Sequence, residues 1–295
     1  MRLMTRADLD GLTCAILLQE VESIDAIDFA HPKDVQDGRI AIDGNDILAN
    51  LPYDARAGMW FDHHMSQEEQ AFGSTVKGAY DIAPSAARVI ANYYKSPKFE
   101  RFAELLEATD RLDAALLTRE DIVDPKGWIL VGYTLDPRTG LGAFKSYFKH
   151  LMELAKSMPV EQVLADPEVS VHVERMRAEE SAFKALLETK SRLDGNVVIT
   201  DMRGEKHPPS GNRFLVYTLF PTANVSVRIA DGHDGSYASI QVGHSILNRT
   251  CKTSIGDLLS EYGGGGHEGA GTAQPATPDV ERVLAEIVTM LKRNG

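Results

Sequence analysis

Cysteine is nearly missing: the 295 residues hold two, Cys14 and Cys251. They lie too far apart for a CxxC pair, which excludes a cysteine metal cluster and a disulfide framework. A reducing cytoplasm is the expected compartment. Long apolar runs are missing as well. No stretch approaches the roughly 20 apolar residues of a membrane helix, so no membrane partner is expected. The opening MRLMTRADLD reaches acidic residues at once and lacks the apolar centre of a secretory leader. Positive charge is short too: 31 Lys plus Arg stand against 43 Asp plus Glu, a formal net charge of −12. That argues against a broad basic face that coats long duplex nucleic acid. A small anion held by a metal or by a few local cations remains compatible. Hydrophobic residues make up 43% of the chain, enough at this length to bury a core without staples and too many for a disordered chain.

The length favours two domains. In the first third, strand-like and helix-like stretches alternate. Residues 2–5, 26–30, 39–42 and 58–61 read as strands, and 9–21 as a helix with Leu9, Leu12, Ile16 and Leu17 at helical spacing. Such alternation predicts an α/β unit with a mostly parallel sheet, whose ligands sit beyond the carboxyl ends of the strands. Residues 85–117 read as helical with a break at Ser96-Pro97, 118–137 as loop-rich, and 141–193 as helical again, with interruptions near Pro159 and Pro167. Strands at 197–200, 225–229 and 237–242, then helices at 255–262 and 278–292, predict a smaller mixed α/β unit. The division is expected at residues 1–190 and 191–295.

Chemistry-bearing residues cluster after the apolar stretches. Asp62-His63-His64 directly follows GMWF. Two histidines and a carboxylate have little packing use at a strand's end and suit Mn²⁺, Fe²⁺ or Zn²⁺; a polar turn capping a helix is the alternative. Asp8 and Asp10, in ADLDG, follow the first strand and serve equally as helix caps or ligands. Asp43 and Asp46, in RIAIDGNDILA, are read as following a third strand, either as bridging ligands or as turn aspartates. Asp110 and Asp113 share a helix face at three-residue spacing. Gly263, Gly264, Gly265 and Gly266 run into His267, a loop whose backbone N–H groups are suited to cradling an anion.

Together these motifs resemble the DHH phosphoesterase superfamily with its DHH-associated C-terminal domain. Asp62-His63-His64 is similar to the motif that names it, ADLDG to its first motif and GGGGH to the glycine signature of the C-terminal domain. HPKDVQDG and NDILANLPY look like an exopolyphosphatase-related bacterial branch. The resemblance implies an N-terminal parallel-sheet domain, a helical connector and a smaller C-terminal domain, with the active site in the cleft between. It implies Asp8 as a ligand of a first metal, Asp10 and His63 of a second, and Asp62 in the same metal set. Asp46 or Asp43 would bridge, and Asp110 or else Asp113 would complete the second site. His64 would contact phosphate or leaving group, and Arg228, His267 and the glycines would grip substrate. The implied cofactor is Mn²⁺, one or two ions, with Mg²⁺ or Co²⁺ as alternatives.

One position departs from the pattern. Relatives usually place a histidine two residues before the first aspartate, where this chain has Arg6. Guanidinium has no lone pair for a metal. Arg6 is expected to clamp phosphate, and so to join His64 in the chemistry, or to pair with Asp8 or Asp10; His31 is a candidate replacement ligand. The implied activity is metal-dependent hydrolysis of phosphoester or phosphoanhydride bonds. Candidate substrates are short oligonucleotides, cyclic or linear dinucleotides, nucleotide phosphates and polyphosphate, and the chain would act alone or as a homodimer. The alternative is a phosphate- or nucleotide-sensing protein that keeps the fold and has lost turnover.

Overall fold

The computed structural model describes residues 1–135, 141–232 and 235–294, with the backbone alone over 141–144. In chain order the elements begin β1 (Arg2–Thr5), α1 (Leu9–Val21), β2 (Ala26–Phe29), α2 (Pro32–Gln36), β3 (Asp46–Ala49), β4 (Met59–Asp62), α3 (Glu68–Phe72), β5 (Lys77–Tyr80) and α4 (Ala86–Tyr94). The helical middle follows as α5 (Ala103–Asp113), α6 (Arg119–Val123), α7 (Gly127–Thr134), α8 (Leu141–Ser157), α9 (Val160–Leu164) and α10 (Pro167–Lys190). The rest is β6 (Ser191–Asp194), β7 (Val197–Asp201), α11 (Leu215–Leu219), β8 (Val225–Asp231), β9 (Ala238–His244), α12 (Ile255–Ser260), β10 (Gly265–His267), β11 (Ala270–Ala273) and α13 (Val280–Arg293). Two compact units form: one from residues 1–116 and 125–174, the other from 117–124 and 175 onward. No described helix is long and apolar enough to cross a membrane.

The first unit is built on an all-parallel sheet in the order β2-β1-β3-β4-β5. Parallel sheets are covered on both faces, so their strands read as unbroken apolar runs; β3 and β4 are buried at every position. Met4, Leu48 and Trp60 face Ala30, Val35, Ile42 and Leu51. Helix α1 is buried from Leu9 through Leu18 and packs against α4, α5 and α8.

Three expectations need correction. Residues 39–42 are loop, and the strand beside β1 is β3, with Arg2 opposite Asp46. Ile40 and Ile42 are apolar because they pack onto the sheet from that loop, not because they belong to a strand. The stretch 118–137, expected as loop, holds α6 and α7 among its described residues; α6 starts at a Thr118–Asp121 capping box. A fifth parallel strand, β5, was not anticipated. Its Gly78 has φ +121°, and a Cβ there would lie 1.9 Å from the Trp60 carbonyl oxygen, so only glycine permits this approach.

The second unit carries a mixed sheet in the order β10-β11-β9-β8-β7-β6, in which only β7 and β8 pair in parallel. One face is apolar: Val197, Ile199, Val225, Val227, Ile229, Ile240 and Val242 pack with residues of α12 and α13. Along α13, Val280, Val283, Leu284, Ile287 and Leu291 form the matching stripe. Alternation along β8 puts Arg228 on the other, partly exposed face.

Candidate metal centre

The carboxyl end of the parallel sheet is where polar groups accumulate. β1 ends at Thr5, β3 runs into Asn50 and β4 ends at Asp62, on three neighbouring strands. Among the described residues, Thr5 Oγ1, Asn50 Oδ1 and Asp62 Oδ2 are buried without a hydrogen-bond partner. A buried polar atom left unpaired costs about 1–3 kcal/mol. Three of them at one end of one sheet are the mark of a site that completes its shell with something else.

Helix α1 starts at this edge because Asp8 caps it, accepting from the Gly11 N–H at 2.9 Å. Gly11 has no alternative: a Cβ there would stand 1.9 Å from the Arg6 carbonyl oxygen. That contact presses Asp8 and Asp10 against the strand end. Both oxygens of Asp10, which is 2% exposed, are held by the N-terminus of α4: Ala86 N–H at 2.9 Å and Ala87 N–H at 2.8 Å. The helix dipole favours an anion there.

His63 completes the cluster. Its Nδ1 lies 2.9 Å from the Ala83 carbonyl oxygen, which can only accept, so Nδ1 carries the proton. A neutral ring then keeps its lone pair on Nε2, the arrangement a metal-binding histidine needs. That Nε2 lies 3.0 Å from Asp113 Oδ2 and 3.9 Å from Asp10 Oδ2. Asp10, His63 and Asp113 each offer a ligand atom within 4.8 Å of the others, and so do Asp62, His63 and His64. Mixed oxygen and nitrogen donors of this kind fit a first-row divalent ion. The Asp62 carboxylate is itself positioned by the His63 backbone N–H at 2.9 Å and by His64 Nδ1 at 2.7 Å.

The electrostatics ask for a cation. Burial, with the charges of Asp113 and Asp8 beside it, raises the Asp10 carboxyl to about 7 against the opposing pull of His63 and the Ala87 N–H. Burial would lower the His63 imidazolium, but Asp113 and Asp10 override it and raise the ring to about 9. Asp8 is likewise raised by burial, with Arg6 opposing.

The other residues singled out from the sequence are bound into contacts of their own. Asp43 and Asp46 stand at the amino end of β3, the opposite end of the sheet. There Asp46 accepts from Arg2 at 2.8 and 2.7 Å and from the Asp43 N–H at 2.8 Å. The strand thought to precede them is absent, so neither is brought to the cluster. Asp110 turns away to Ser85 Oγ at 2.6 Å and Arg88 at 2.8 and 2.5 Å, while Asp113, one turn on, faces His63. His31 caps α2 through Nδ1. Arg6 pairs with Asp8 at 3.2 Å. Asn50 was missed because an amide does not read as a ligand. Its signal was positional: ILA followed by Asn repeats the pattern of LMT before Arg-Ala-Asp and MWF before Asp-His-His.

In the second unit the glycine run is half strand rather than open loop. Gly263 and Gly264 donate their N–H groups to the end of α12, at 3.2 and 2.9 Å, so neither is left for an anion. A Cβ on Gly264 or Gly266 would strike β11 backbone at 2.4 or 2.2 Å, whereas Gly265 faces open space. His267 Nδ1 accepts from the Gly269 N–H at 3.1 Å, which leaves the proton of a neutral ring on Nε2.

No family model matches the chain, and no curated protein matches it. Among solved structures, it is similar to the pGpG-specific phosphodiesterase PggH from Vibrio cholerae. The two share 37% identity over 100% of this chain and 99% of that one, with a TM-score of 0.87. Two more distant structures share the fold. One is the DHH domain of a member of a family of ribosomal proteins, at 13% identity and TM-score 0.61 over 99% of this chain and 87% of that one. The other is RecJ in complex with Mn²⁺ from Thermus thermophilus, at 12% and 0.52 over 99% of this chain and 52% of that one. With a full-length relative at 37% identity and an Asp-His-His motif at the end of a parallel strand, the chain belongs to the DHH phosphoesterase superfamily, metal-dependent hydrolases of phosphoester bonds.

Proposed function

We propose that this protein is a Mn²⁺-type phosphodiesterase that cleaves short linear dinucleotides of the pGpG class into mononucleotides. The observation that carries the substrate class is the full-length similarity to the pGpG-specific enzyme, which extends over both the parallel-sheet unit and the unit with the glycine strand. Asp10, His63 and Asp113 would hold the ion, with Asp62 Oδ2 as a further donor. A histidine nitrogen among carboxylates favours Mn²⁺ over Mg²⁺, which prefers an all-oxygen shell. When bound, the ion would supply a hydroxide at neutral pH and neutralise a phosphoryl oxygen.

The chain's own groups divide the remaining work. The amides of Ala86 and Ala87 fix Asp10, and the Ala83 carbonyl fixes the His63 ring. Asp62 accepts from His64 Nδ1 and so fixes the orientation of that ring. His64, 39% exposed, would give its other proton to the departing 3′ oxygen as the phosphorus–oxygen bond breaks. Arg6 would meet a phosphate oxygen, and Arg228, Gly265 and the Nε2 proton of His267 are the candidate substrate contacts of the second unit. The net charge of −12 disfavours long nucleic acid, and the free thiols of Cys14 and Cys251 suit the cytoplasm.

A sensing role without turnover has one observation in its favour, the capture of Asp8 by Arg6. A panel of pGpG, other linear dinucleotides, a cyclic dinucleotide, a longer oligonucleotide and polyphosphate, incubated with protein and Mn²⁺, decides between these readings. The expected result is two molecules of GMP per pGpG, faster than every other release. Release of phosphate from polyphosphate instead would favour an exopolyphosphatase-like activity, and tight binding of pGpG without products the sensor.

A further inference from the structure

Asp8 stands at the same sheet edge as Asp10 and Asp113, yet among the described residues it joins neither metal-capable cluster. Its oxygens are already served. Oδ1 accepts from the Gly11 N–H at 2.9 Å and from Asn50 Nδ2 at 3.1 Å, and Oδ2 faces Arg6 Nε at 3.2 Å. None of these partners is incidental. Gly11 is forced by the close approach of the Arg6 carbonyl. Asn50 is fully buried at the end of β3 in a left-handed conformation, φ 57°, which asparagine adopts more readily than most residues. Its amide gives Asp8 a donor where a carboxylate would have presented a like charge.

We propose that the Arg6 guanidinium is a resident cation of the site. Held by Asp8, it stands in for a second divalent ion, and the centre works with a single metal at Asp10, His63 and Asp113. The inference rests on the phosphoester-hydrolase reading above. Three of the four carboxylates are answered on this arrangement. One divalent ion offsets Asp10 and Asp113, and Arg6 offsets Asp8. Arg6 engages Asp8 through Nε, at the inner end of its planar fork, and the outer nitrogens of such a fork suit two phosphate oxygens. A guanidinium cannot activate water by ionisation, so Arg6 would hold the phosphoryl group, and Asp10, His63 and Asp113 would hold the ion that supplies the nucleophile.

Calorimetric titration of the metal-stripped full-length protein with Mn²⁺, read beside the electron paramagnetic resonance of the loaded form, tests the count without any turnover. One ion per chain with an uncoupled six-line spectrum is expected. Two ions per chain, or a spin-coupled pair, would overturn the proposal while leaving phosphodiesterase activity standing. Arg6→Gln should keep one Mn²⁺ and lose about 100-fold in kcat/KM for pGpG, the scale for removing one preorganised donor from a developing anion. Adding Asp8→Asn to Arg6→Gln should not restore turnover. Restoration would mean that Arg6 serves only as the counter-ion of Asp8, and the proposal would fall.

Discussion

At the scale of single residues, the site depends on atoms that leave no room for exchange. Gly11→Ala places a methyl group 1.9 Å from the Arg6 carbonyl oxygen and should cost about 3 kcal/mol, read as a lowered midpoint in urea with an unchanged slope. His63→Ala and Asp113→Asn should each lower Mn²⁺ content and turnover together. Asp110→Asn should instead destabilise the Ser85 and Arg88 contacts while the chain still takes up the ion; mass-spectrometric metal content separates the two aspartates. The pH dependence follows from the raised groups. Asp10 is raised in the folded protein from 3.8 to about 7 and His63 from 6.5 to about 9, so the folded state holds protons that the unfolded chain releases sooner. Their contributions are complete below pH 3.8 and 6.5 and are lost as pH climbs through about 7 and about 9. The metal-free protein should therefore melt at a lower temperature at about pH 9 than at about pH 6. Mn²⁺ displaces the same protons, so its apparent affinity should rise over that interval.

At the scale of elements, the alternation of strand and helix was legible because a buried parallel strand writes itself as an apolar run. The third strand shows the limit of that rule. RIAI and DILA are both apolar tetrads close together in the chain, and only hydrogen bonding to β1 distinguishes the strand from the packed loop. Taking RIAI for the strand puts two aspartates at the wrong end of the sheet and hides Asn50 at the right one. Asp62-His63-His64 and the first-motif aspartates were legible because their neighbours, GMWF and RLMT, are strands wherever the register is drawn. The choice of Asp113 over Asp110 was not, since both share a helix face and only Ser85 and Arg88, from α4 and its cap, claim one of them. The glycine run makes a sharper forecast now that β10 is a strand. Gly264→Val and Gly266→Val should disrupt the β10–β11 hairpin and lower the melting temperature. Gly265→Val, which meets open space, should leave the fold intact and raise the Michaelis constant for pGpG, a split visible by circular dichroism beside steady-state kinetics.

At the scale of the whole molecule, the chain carries a net charge of −12, and with four aspartates at the end of the parallel sheet an anionic substrate depends on Arg6 and a bound divalent ion for its welcome. Mn²⁺ at about a hundredfold excess over its dissociation constant should add about 2.7 kcal/mol and raise the melting temperature by about 5–10 °C, with no such gain in His63→Ala. The grip of α4 on Asp10 carries a further consequence. A carboxylate tied at both oxygens to main-chain amides does not swing away when its ion departs. Loading and unloading then require no rearrangement of the backbone, only the passage of a hydrated ion. Uptake should then run at the pace at which the incoming ion sheds its water, with release set by the strength of the Asp and His ligands alone.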